Sequence, residues 1–306
     1  MADAIDVAAE AVRAISSGKG QYPARMHLAF ANGDALVMPG YDEVGHFGVK
    51  VATIHPNNAA LGKPGTRASY LLIDSTDGEP KLICDGTALT ALRTGAVTGL
   101  ATRRLALPDA SVLTIFGVGS QARTQVDGVC AVRSISKIRV VSRDAARADA
   151  FIALLRVRFP RVAIVRAHSD EAVADAHVIV TATNSNKPVF AADSVAAGTH
   201  VNAIGSFRPD MCELDPVLLG RATVFVEQRG AALSEAGEIR TAVEMGLLNA
   251  DALIELGFVR ENARRTNEEI TVFKTVGHAA LDLFAAVELL RRAEIANQCA
   301  HPADAA

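Results

Sequence analysis

The chain has 306 residues, half of them apolar, with 31 Lys and Arg set against 34 Asp and Glu for a formal net charge of −3. A chain of that length buries a large core and is expected to divide into two domains. The weak acidity argues against nucleic-acid and membrane-surface partners, and no stretch approaches the roughly 18 apolar residues of a membrane span.

The opening residues, MADAIDVAAEAVRAI, read as an amphipathic helix with acids early, unlike a secretory leader. Five strands follow: MHLAF, DALVMPGY, HFGVKVATI, ASYLLIDS and PKLICDG. Asn32-Gly33-Asp34 and Thr76-Asp77-Gly78 are hairpin turns between them. Lys50 stands inside the apolar strand HFGVKVATI, and its period-two neighbours Gly48 and Ala52 leave room on its face. His46 shares that face, and a histidine side chain is suited to proton transfer, so it is a candidate proton donor beside Lys50. In Asp85-Gly86-Thr87, Thr87 is a candidate hydrogen-bond donor, while an Asx turn explains Asp85 equally well. A helix over about 88–105 then carries Arg93.

The pattern changes at Ser111. SVLTIFGVGSQA is a buried strand ending in a glycine turn that opens a helix. Gly117 permits the turn, Gly119 admits a pyrophosphate close to the backbone, and Ala122 keeps helix and strand in contact. Val118, Ser120 and Gln121 complete the loop, whose N–H groups and helix dipole form an anion site. Strands and helices alternate from there through KIRVVS, RVAIVRA, HVIVTAT, HVNAIGS and ATVFVE, which implies a doubly wound parallel sheet with ligands at its carboxyl edge. Thr181-Ala182-Thr183 and Gly205 fall on that edge.

At the tip of KIRVV an NAD-selective site carries an acid, whereas this chain has Ser142 and Arg143. A hydroxyl and a guanidinium suit a 2′-phosphate, so NADPH is favoured over NADH. The competing reading makes Arg143 a solvated cation and Asp144 a helix cap. Glu235 and Glu238 are read as helix-capping residues, and His168, His177 and His200 as structural or solvated. Lys274 either reaches the cofactor or lines a hinge. Cys84, Cys130, Cys212 and Cys299 lack CxxC spacing, which points to reduced thiols in a cytoplasmic protein and to no metal site. A long helix over about 277–296 suits packing on the first domain, and the final HPADAA reads as a frayed tail. The expected organisation is α/β: residues 107–276 form a Rossmann domain inserted in an α+β domain made of 1–106 and 277–306.

Ordered motifs along nearly the whole chain are similar to those of the ornithine cyclodeaminase/μ-crystallin family. They are Gly48-Val49-Lys50 with Val51-Ala52-Thr53 and Pro56; Thr90-Ala91-Leu92-Arg93-Thr94-Gly95-Ala96; the glycine turn 117–122; Asn202-Ala203-Ile204-Gly205; Glu213-Leu214-Asp215; and 271–277, TVFKTVG. The resemblance implies bound NAD(P)(H), an α-amino or α-imino acid substrate, and a homodimer whose first domain supplies the dimer contact and the substrate pocket. It carries the family's carboxylate-binding residues onto Arg25, Lys50 and Arg93, and the segment Val276-Gly277-His278 onto the nicotinamide. Where family deaminases hold a δ-ammonium with an Asp, this chain has Phe207, an apolar ring that penalises an ammonium. Asp210 is a possible substitute from the next turn. The segment GSFRPDMCELD resembles the Δ1-pyrroline-2-carboxylate (ketimine) reductase members. Reduction of that imine to L-proline, or of its six-membered homologue to L-pipecolate, is therefore expected ahead of ornithine cyclodeamination or alanine dehydrogenation.

Overall fold

The computed structural model describes residues 1–300 and divides the chain into two compact units, Met1–Ile5 with Thr94–Gly277, and a second made of Asp6–Arg93 and the segment from His278 onward. The reading of HPADAA as a tail lies outside the described residues, as does the side chain of Cys299.

The first part of the chain runs α1 (Ala2–Ser16), β1 (Met26–Phe30), β2 (Gly33–Tyr41), β3 (His46–Ile54), β4 (Thr66–Asp74), β5 (Pro80–Asp85) and α2 (Gly86–Leu105). The strands make an antiparallel five-stranded meander in chain order. Strand alternation splits it into two faces. Met38, Lys50 and Tyr70 align across β2, β3 and β4 on the inner face, all buried. Tyr70, Leu72 and Leu89 form a core there with Leu283 and Ala286 of the last helix, α9 (Ala279–Ala300). The outer face presents Met26, Leu28, Phe30, Val51 and Ile83, all exposed.

The long middle segment runs β6 (Val112–Phe116), α3 (Ala122–Cys130), β7 (Lys137–Val141), α4 (Ala145–Arg158), β8 (Ala163–Arg166), α5 (Ser169–Val173), β9 (Val178–Thr181), β10 (His200–Ala203), α6 (Pro216–Arg221), β11 (Thr223–Val226), α7 (Arg229–Glu235), α8 (Gly237–Glu244), β12 (Ile254–Glu255) and β13 (Thr271–Lys274). Its eight-stranded parallel sheet has the order β12-β11-β13-β10-β9-β6-β7-β8. Both faces are covered: Leu113, Ile115, Val178 and Val180 enter one core, while Phe116, Ile179, Val201 and Val272 enter the other. That explains the unbroken apolar runs. The fold is the expected doubly wound one, with a strand the sequence reading left unassigned. The TVFK motif becomes β13 and slots between β10 and β11.

The compact units differ from the expected boundary at 106/107, because the chain changes unit inside α2 at Thr94. The cause is local. Built on the backbone, a Cβ at Gly95 would collide with the Thr124 carbonyl of α3, and one at Gly128 of α3 would collide with the Gly95 carbonyl. Only glycine lets the two helix backbones touch, so the second half of α2 belongs with α3.

Candidate functional site

The parallel sheet reverses its winding between β6 and β9, the place where doubly wound sheets open a crevice for ligands. The glycine turn lies there. Gly117 has φ +98° and donates its N–H to the Val141 carbonyl of β7 at 2.9 Å, while any Cβ on it would strike the Ala182 carbonyl. Around Gly119 a Cβ would meet no atom within 4 Å, and Ser120 is exposed, so space lies open over the loop. Ala122 is fully buried, as its packing role requires. Gln121 stands at the N-cap of α3 without a side-chain bond to the helix, and its buried Oε1 finds no hydrogen-bond partner among the described residues. An open glycine loop followed by an uncapped helix start fits a dinucleotide pyrophosphate.

At the end of β7, the Asp144 cap of the competing reading is present. The Ser142 hydroxyl accepts the Asp144 N–H at 3.2 Å, and Asp144 caps α4 by accepting the Arg147 N–H at 3.0 Å. Arg143 is exposed beside them.

The carboxyl ends of β9 and β10 are stitched by Glu213. Its buried carboxylate accepts hydrogen bonds from the N–H groups of Thr183 (2.6 Å), Gly205 (2.6 Å) and Ser206 (3.2 Å) and from the hydroxyls of Thr181 (3.0 Å) and Thr183 (2.7 Å). Burial pushes the Glu213 carboxyl up, against the pull of Lys274 and the Thr183 donors. Next to it, Lys274 of β13 pairs with Glu238 at 3.1 Å and donates to the Ser206 carbonyl at 2.6 Å, while the Ser206 hydroxyl donates to Glu238 at 2.6 Å. Glu238 is therefore not the capping residue expected. Ala236 is the N-cap of α8, and full burial of the Glu238 carboxylate demands a cation partner. The Lys274 ammonium is committed to this network. The loop that follows carries Phe207 half-buried against the core, with the Arg208 guanidinium 5.9 Å from its ring. Asp210 is held by Arg208 through two 3.1 Å bonds. Val276 is buried in the core, and Gly277 donates to the Thr275 hydroxyl at 3.1 Å.

The second cluster belongs to the antiparallel unit. Lys50 Nζ donates to Asp282 Oδ2 at 2.6 Å, and Arg93 Nε donates to Asp282 Oδ1 at 2.9 Å. Their side chains are 3%, 7% and 1% exposed, so water screens little of the interaction. Burial lowers the Lys50 ammonium to about 8, with Asp282 pulling it up and Arg93 and Arg25 pushing it down. Burial on its own would raise the Asp282 carboxyl, but Arg93 and Lys50 outweigh it and hold the group below its ordinary value.

His278 also lies here, one turn before Asp282. Its ring meets Tyr22 edge-on at 5.3 Å, and burial, aided by Arg25, lowers it to about 4. The expected cofactor residue thus sits among the cations of the antiparallel unit. The room that Gly48 leaves is filled by Tyr70, whose hydroxyl lies where a Cβ would be.

His46 stands apart from the cluster. His46 Nδ1 is bonded to Asp42 Oδ2 at 2.8 Å at the start of β3. Strand geometry puts it about 13 Å along the strand from Lys50. Thr87 accepts the Ala68 N–H at 2.9 Å and donates its own N–H to Asp85 at 2.8 Å, so the Asx turn is present. Asp282 went unread in the sequence. Its signal was an acid inside the apolar run AALDLFAA, where an unpartnered charge is costly.

A glycine turn at the winding switch of a parallel sheet places the protein in the dinucleotide-binding class. The sequence profile of the ornithine cyclodeaminase/mu-crystallin family matches residues 1–295, and the chain belongs to that family. It is 39% identical to a Δ1-pyrroline-2-carboxylate reductase of Bacillus cereus, over 96% of this chain and 92% of the relative. Its fold is similar to that of the Thermococcus litoralis Δ1-pyrroline-2-carboxylate reductase solved with NADH and L-proline, with a TM-score of 0.91, 31% identity and coverage of 96% and 93%. An archaeal alanine dehydrogenase dimer with bound NAD is similar at a TM-score of 0.90, 32% identity and coverage of 97% and 92%.

Proposed function

We propose that the protein reduces a cyclic imino acid with a nicotinamide cofactor, turning Δ1-pyrroline-2-carboxylate into L-proline and accepting Δ1-piperideine-2-carboxylate as its larger homologue. The observation that carries this reading is the buried pair Lys50 and Arg93 on one carboxylate, with Arg25 close enough to depress Lys50. Such a concentration of cation in a family that includes imine reductases suits a small acid's carboxylate, which an arginine fork fixes in angle. The glycine loop 117–122, Ser142, Arg143, Thr181-Ala182-Thr183, Gly205 and the Val276-Gly277 turn are assigned to the cofactor. Bound there, it supplies the hydride.

Arg25, Lys50 and Arg93 hold the carboxylate, which orients the C=N carbon and removes the entropy cost of alignment. An imine accepts hydride far better when its nitrogen is protonated. Lys50, lowered to about 8, is the preferred source of that proton over His46, whose ring is engaged by Asp42. Phe207 offers no carboxylate to a side-chain ammonium, and Asp210 is already neutralised by Arg208, which weighs against ornithine as substrate.

NADPH is the proposed cofactor, on Ser142 and the exposed Arg143, with NADH as a second donor. A homodimer is proposed through the outer face of the five-stranded sheet, where Met26, Leu28, Phe30, Val51 and Ile83 are exposed. The thiols of Cys84, Cys130 and Cys212 are free, which supports a cytoplasmic setting.

The deciding assay mixes the protein with NADPH and Δ1-pyrroline-2-carboxylate and follows loss of reduced-nicotinamide absorbance. Lys50→Ala and Arg93→Ala are each expected to lower kcat/KM by at least on the order of 100-fold while leaving NADPH affinity intact. Ammonia release from ornithine without imine reduction overturns the reading.

A further inference from the structure

We propose that Asp282 is a positioning residue of the carboxylate clamp, holding Lys50 and Arg93 in the pose that receives the substrate and offsetting their charge so that a cationic imine nitrogen is tolerated beside them. This rests on the assignment of Lys50 and Arg93 to substrate. The geometry divides the carboxylate between two cations: Oδ2 takes Lys50 Nζ at 2.6 Å and Oδ1 takes Arg93 Nε at 2.9 Å. Because Arg93 is anchored through Nε, the bond leaves its Nη pair uncommitted, and that edge of the guanidinium matches a second carboxylate. Lys50 spends one of its three protons on Asp282.

The charge balance points the same way. Lys50 and Arg93 share the one carboxylate of Asp282, so the pair keeps a positive surplus for the substrate anion. With no acid at all, the same cations would repel a protonated imine. The groups around Lys50 are Arg25 ahead of β1, Tyr70 on β4, Arg93 on α2, His278 just before α9 and Asp282 on α9. Burial raises the Tyr70 hydroxyl and lowers His278 to about 4, so both stay neutral near pH 7. Asp282 is then the negative charge whose removal lowers Lys50 further.

The test is Asp282→Asn in the full chain, assayed with NADPH and Δ1-pyrroline-2-carboxylate across pH. KM for the imine is expected to rise on the order of 10- to 100-fold, the loss of a charge-assisted hydrogen bond to a buried group. The alkaline limb of kcat/KM is expected to move to lower pH, and NADPH affinity to stay unchanged. Asp282→Glu restores the charge and should return the limb towards the wild-type position with KM still raised. If Asp282→Asn does not fold, Asp282→Glu carries the test alone: raised KM with the limb in place supports the assignment. Wild-type KM and an unmoved limb in the folded variant overturn it. Normal turnover by Lys50→Ala or Arg93→Ala would instead sink the clamp reading. Loss in both of those with none in the Asp282 variants would sink only the role given to Asp282.

Discussion

Lys50 shows how a single side chain is poised by opposed forces. Burial would strip its proton and Asp282 restores it, and the balance leaves an ammonium at about 8 that is charged yet able to release a proton near neutrality. The guanidinium of Arg93 has no such freedom, so the pair divides into a proton source and a fixed clamp. Arg143 is the other residue with a sharp expectation. If it binds a 2′-phosphate, Arg143→Ala should raise the dissociation constant for NADPH by about tenfold or more and leave NADH nearly unaffected, as the loss of one exposed charge-assisted contact predicts. Titration of cofactor fluorescence with both nucleotides decides it, and equal weakening would leave Arg143 as a solvated cation. Lys50 and the glycine turn were legible in the sequence because each stands out against its local pattern, and Arg93 because the motif around it resembles the family's. Asp282 was not, since its partners lie 232 and 189 residues away and their pairing exists only in the folded chain.

At the level of elements, two devices hold the carboxyl edge of the parallel sheet. The first is the contact of α2 with α3 through Gly95 and Gly128. Gly128→Ala, harmless by helix propensity alone, is expected to cost about 2 kcal/mol or more, because overpacking has no flexible atom to displace. Denaturant titration would show it as a lowered midpoint, and wild-type stability would mean that the crossing has slack. The second device is Glu213, which gathers backbone and hydroxyl donors from β9, β10 and their loops. Glu213→Ala strands those donors and should destabilise the fold by about 3 kcal/mol or more. The strands and the alternation of the Rossmann segment were readable from apolar runs. β13 was less so, because TVFK is a short run whose place between β10 and β11 follows from a return of the chain after the long segment that carries α7, α8 and β12, a long-range pairing that no local periodicity encodes. Glu238 was misread for a related reason. Its position at the head of α8 suggests a cap, while the Lys274 that claims it arrives on β13.

For the molecule as a whole, buried imidazoles set the acid limit. Burial lowers His200 to about 3 and His278 to about 4, so both are neutral when folded, whereas an unfolded chain protonates them near 6.5. Below about pH 6.5 the unfolded state binds more protons, and stability falls as pH drops towards 4 and then 3. Each such histidine adds a slope of about 1.4 kcal/mol per pH unit at most. Urea midpoints between pH 7 and pH 4.5 measure it, and a flat profile would contradict neutral burial. Assembly is tested by Leu28→Asp on the exposed sheet face, which is expected to shift the protein from dimer to monomer in light scattering while the monomer stays folded. A further consequence lies in the order of synthesis. The antiparallel unit is split in the chain, and Leu283, Ala286 and the partner of Lys50 and Arg93 all come from α9, which is synthesised after every other described element. The nascent meander must therefore wait, with Lys50 and Arg93 lacking their shared carboxylate and part of its core missing, until α9 has been made. A messenger cut short before α9 yields a product in which that unit has no route to completion, a natural mark for chaperones and proteases.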